Sequence, residues 1–70
     1  MAVTIKELRL RSGMTRKKFA TLAGVSDITL KRAELMGKRV TEVTAYRVLK
    51  AFETVYDRKF EMSDLDIKIR

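Results

Sequence analysis

TRKKFATLAGVSDITLKRAE, residues 15–34, decides how the rest of the chain is read. Thr15 is a good N-cap, because its hydroxyl can accept from a backbone N–H of the first helical turn. Phe19, Ala20 and Ala23 follow at helical spacing, and Gly24 supplies the positive-φ residue at which a helix stops. Ser26 then offers a second cap. The stretch predicts two short helices, about 16–23 and 27–36, joined by a turn so tight that they must cross steeply.

The first of these helices carries an anomaly. Arg16, Lys17 and Lys18 fill its first turn, where the helix dipole is positive and each cation costs on the order of 0.3–1 kcal/mol. An anionic partner docked there would reverse the sign of that penalty, so contacts to phosphate are expected of all three. On the second helix, Leu30 and Ala33 take the core side. Ile28, Arg32 and Leu35 therefore face away, flanked by Asp27 and Lys31. Isolated exposed apolar residues are common. Near the start of a basic helix, however, Ile28 can pack on thymine methyl groups while Lys31 and Arg32 reach guanine edges or phosphates. Leu35, a turn further on, can equally cover the edge of the core.

Upstream, Thr4 caps a helix in which Ile5, Leu8 and Ser12 share a face, and Gly13 ends it. Leu10 lies off that stripe, and Met14 follows the turn, where its flexible side chain can plug the gap to the next helix. Downstream, Lys38-Arg39-Val40 reads as a basic loop. Thr41 caps the longest helix, with Ala45, Val48, Leu49, Phe52 and Tyr56 on its core face and Glu42, Arg47, Lys50 and Glu53 outside.

The tail, 57–70, begins with the polar turn Asp57-Arg58-Lys59 and offers Ser63 as a cap; Leu65 to Ile69 then alternates with period two. One strand needs a partner, and two readings stay open. Either it pairs across a two-fold axis as a dimerisation segment, or it is a loosely packed terminus.

Seventy residues support one domain, 1–70, with one small core, and the absence of Cys and His rules out disulfide or zinc staples. The fold class expected is all-α, with four to five helices and a short C-terminal strand as an optional addition. No cofactor, metal or small-molecule ligand is expected. No apolar run is long enough to span a membrane, so a cytoplasmic place is expected.

The net charge of +7 is unevenly spread. Residues 1–39 hold ten Lys or Arg against three acids, and residues 40–70 hold six of each. One half aimed at a polyanion is the sharper account of this and a surface kept basic for solubility the blander one. The scattered acids form no acid/base constellation, which argues against an enzyme. Phe19, Tyr46, Phe52, Tyr56 and Phe60 are mostly on core stripes, which leaves no stacking platform for single-stranded RNA.

Residues 5–52 resemble the Cro/repressor helix-turn-helix family of phage repressors and bacterial regulators. The residues that carry the resemblance are Ile5, Leu8, Arg9, Gly13-Met14-Thr15, Phe19-Ala20, Ala23-Gly24-Val25-Ser26, Thr29-Leu30, Arg32, Glu34, Gly37-Lys38-Arg39 and the helix from Thr44 to Phe52. The resemblance implies that the third helix enters the major groove of double-stranded DNA, with the start of the second on the backbone beside it. Asp27, Ile28, Lys31 and Arg32 would then read bases, and Arg16, Lys17, Lys18, Thr29, Lys38 and Arg39 would hold the backbone. Arg9 and Glu34 would form a buried structural pair. The function implied is a sequence-specific transcriptional regulator, a repressor by occupancy, acting as a homodimer in a bacterial or phage setting. The rival reading is a protein-interaction module, such as an antitoxin or phage regulator, using Tyr46, Phe60 and Leu65 to Ile69. The chain departs from the family pattern in having Arg16 where glutamine is usual, Lys17 and Lys18 after it, and one extra residue between Glu34 and Gly37.

Overall fold

The computed structural model describes residues 3–35 and 39–69. Four α-helices, α1 (Ile5–Arg11), α2 (Arg16–Ala23), α3 (Asp27–Leu35) and α4 (Glu42–Tyr56), are followed by a 3-10 turn at Met62–Asp64. Two-residue strands stand at either end, β1 (Val3–Thr4) and β2 (Leu65–Asp66). The expected extension of α3 to Met36, its closure by Gly37, the loop length there and the Lys38 contact lie outside the described residues.

One local device starts every helix. The side-chain oxygens of Thr4, Thr15, Ser26 and Thr41 accept from the backbone N–H three residues on, at 3.1, 3.1, 3.1 and 3.2 Å. Each satisfies a donor that has no intrahelical partner, and each contributes about 1 kcal/mol. At its other end α2 stops on Gly24, whose φ of 73° is left-handed and whose N–H still reaches the last carbonyls of the helix.

The apolar steps of the four helices meet in one core. Phe19 and Phe52 are fully buried and stacked, with ring centroids 4.5 Å apart, and Leu30 and Val48 close the space beside them. Leu10 is exposed and Met14 packs against the core. Tyr56, half-buried, donates its hydroxyl to the Leu8 carbonyl at 2.7 Å and ties α4 to α1.

After α4 the chain keeps contributing to that core. Phe60 and Leu65 are buried, and Met62 and Ile67 pack against the same cluster. Glu53 Oε2 accepts from the Phe60 N–H at 3.0 Å, and the Arg58 guanidinium lies over the Phe60 ring at 4.3 Å. Ser63 does not cap the short turn. It is closed instead by Glu61, whose N–H donates to Asp64 Oδ2 at 2.8 Å.

The period-two segment is extended and paired, but within the chain. Leu65 and Asp66 run parallel to Val3 and Thr4, and the Val40 N–H donates to the Lys68 carbonyl at 2.8 Å beside a Val40–Ile69 bridge. The partner strand escapes a periodicity reading because it is two residues long and because Thr4 also serves as the cap of α1. No helix among the described residues is long and apolar enough to cross a membrane.

Candidate nucleic-acid interface

The outer face of α3 is held by contacts at both of its ends. Near its C-terminus, Glu34 is a carboxylate whose side chain has no exposure at all. Arg9 answers it with both prongs, Nε to Oε2 at 2.8 Å and Nη2 to Oε1 at 2.9 Å, while Nη1 donates to the Met14 carbonyl at 3.0 Å. This bidentate pair fixes α3 against α1 and leaves neither charge uncompensated in the core.

At its N-terminus, Asp27 Oδ1 lies 3.5 Å from Arg16 Nε, a buried atom that makes no hydrogen bond among the described residues. The contact is electrostatic. Asp27 occupies the first residue of α3, where a carboxylate suits the dipole, and its charge also offsets that of Arg16 at the start of α2. Arg16 is therefore compensated at this helix end, contrary to expectation, whereas Lys17 and Lys18 form no ion pair among the described residues.

Along its outer face α3 presents Asp27, Ile28, Lys31, Arg32 and Leu35 to solvent, and Ile28 is 62 % exposed. Leu30 lies on the opposite side, 1 % exposed. Thr29 is half-buried, and its hydroxyl accepts from Ser26 at 2.7 Å. Lys17 and Lys18 are exposed on the first turn of α2, and Arg39 is exposed just before Val40.

The charges sort themselves in this half of the molecule. All three of its acids face arginines: Glu7 meets Arg11 at 3.0 Å, Asp27 meets Arg16 and Glu34 meets Arg9. Among the described residues, Lys17, Lys18, Lys31, Arg32 and Arg39 form no ion pair. The positive potential of the interface rests on these five.

One contact had no signal in the sequence. Arg47, expected only to decorate the outer face of α4, donates from Nη1 to the Gly24 carbonyl at 2.9 Å. Its position off the apolar stripe says that it faces outward, and nothing in the spacing says that the α2–α3 turn lies within its reach. Among the described residues no group of three metal-ligating side chains comes together.

Comparison with known proteins agrees with this arrangement. Searches of curated proteins and of solved structures find no match. A family model described as helix-turn-helix matches residues 5–56, which take in all four helices. The chain belongs to the Cro/C1-type helix-turn-helix family, whose domains bind DNA and act in regulation.

Proposed function

We propose that the protein is a sequence-specific regulator of transcription that lays α3 in the major groove of double-stranded DNA and represses by occupying its site as a homodimer. The observation that carries the reading is the exposed surface of α3. An isoleucine 62 % open to water stands among the exposed Asp27, Lys31 and Arg32, and on the first turn of α2 Lys17 and Lys18 are exposed and form no ion pair among the described residues. Such a surface is costly in water, whereas against DNA Ile28 packs on thymine methyls, Lys31 and Arg32 reach guanine O6 and N7, and Asp27 accepts from cytosine N4. Lys17, Lys18 and Arg39 grip phosphates, joined by Arg16, Thr29 and Lys38; Arg9 and Glu34 serve the fold.

A dimer would set its two recognition helices about 34 Å apart, matching half-sites one helical turn apart. The rival reading as a protein-interaction module loses two of its anchors, because Phe60 and Leu65 are spent in the chain's own core.

Selection of bound duplexes from a random pool tests the proposal. A symmetric motif with that spacing is expected, and failure to enrich any motif sinks it. Alanine at Lys17 or Lys18 should weaken binding to all sequences alike and flatten the salt dependence by about 0.9 unit of slope for each phosphate no longer neutralised. Alanine at Ile28 or Lys31 should instead change which motif is selected.

A further inference from the structure

We propose that Arg47 is a positioning residue for α3: from α4 its guanidinium holds the α2–α3 turn and so sets the angle at which the recognition surface is presented. The proposal rests on the DNA-binding reading above and adds to it a residue of α4 that is not assigned a contact with DNA.

Gly24 is the pivot of the turn. Its N–H is used by the end of α2, where it reaches the carbonyls of Ala20 and Thr21, and the Val25 N–H also returns to Ala20 at 3.0 Å. The Gly24 carbonyl takes no part in those bonds and accepts from Arg47 Nη1 at 2.9 Å. A charged donor on a carbonyl at a helix C-terminus suits both the hydrogen bond and the negative end of the α2 dipole. A Cβ added at Gly24 would lie 3.9 Å from the same guanidinium nitrogen, so the arginine passes close over the turn.

The other three helices each reach α3 or the turn before it with one arginine. Arg9 of α1 takes Glu34, Arg16 of α2 takes Asp27, and Arg47 of α4 takes Gly24. The first two hold α3 near its ends, and the third fixes the hinge from which it leaves α2. Releasing the hinge lets the start of α3 pivot slightly within those two ties while the core beneath stays packed. A pivot harms contacts that require alignment with base edges more than contacts to a continuous phosphate backbone.

The test uses the full chain with Arg47→Met, and with Arg47→Gln should the first fail to fold. In the free protein, amide exchange at Val25 should quicken by about ten-fold while that at Phe52 stays as it was, because only local opening is made easier. With DNA, the affinity ratio between the selected duplex and a scrambled one should fall by about ten-fold, with the salt slope unchanged. Unchanged exchange at Val25 overturns the proposal. Equal loss on both duplexes with a flattened salt slope also overturns it, since Arg47 would then be a phosphate contact. If the wild-type chain does not discriminate between duplexes, the DNA reading fails, and the exchange measurement still decides whether Arg47 holds the turn.

Discussion

The Glu34 side chain has no solvent exposure, and both its oxygens are taken by Arg9. Glu34→Ala leaves a nearly buried guanidinium without its counter-charge and should destabilise the fold by about 3–5 kcal/mol in urea unfolding. The double variant Arg9→Met/Glu34→Leu, which removes both charges and restores apolar volume, should recover most of that loss. This pair could be anticipated only through the family resemblance, since residues in two helices at opposite ends of the motif share no local pattern. Arg16 and Asp27 are each legible in the sequence as polar positions at helix starts. Their meeting at 3.5 Å depends on how steeply α2 and α3 cross, which a linear reading does not contain.

At the scale of elements, the helices are legible because their signals are local. A hydroxyl cap, an apolar step of three or four residues and a left-handed stop all lie within a few positions of the bond they make. The tail beyond α4 is different, for its determinants reach across the chain. The charge pattern puts Glu53 on a balanced outer face, yet it accepts from the Phe60 N–H and holds the tail against the helix. That bond, and to a lesser degree Lys50, keeps its carboxyl below the ordinary value of 4.5. A depressed carboxyl contributes stability that is complete above that value and is lost as the pH falls through the lower, folded one. Glu53→Gln should therefore lower the melting temperature at neutral pH. The difference from wild type should shrink as the pH is taken below 4.5 and through the lowered value of the folded state, as thermal melts across an acid series would show.

For the whole molecule, the family match ends at residue 56, but the core does not. Phe60 and Leu65 lie in the same cluster as Phe19 and Phe52, so Phe60→Ala should cost about 3–5 kcal/mol. In a domain this small that is a large part of the total, and the far-UV signal should melt well below that of wild type. Were the tail only an appended dimerisation segment, the same substitution would leave the stability of a dilute sample untouched. The surface balance of charge is legible by counting, but its allocation is not. Three acids among the first thirty-nine residues are consumed by arginines, and the cations left to face an anion are chiefly lysines.

The parallel pairing of Val3–Thr4 with Leu65–Asp66 bears on the order of events in folding. The helical core already joins distant residues, Phe19 to Phe52 and Tyr56 to Leu8, but all of them lie within residues 5–56, whereas β1 has no partner until residues 65 and 66 have been made. Val40, which bonds to Lys68, waits with it. The backbone next to Arg39 is thus tied down, through Val40, only once synthesis has passed residue 68, and a copy cut before Leu65 would lack that bond.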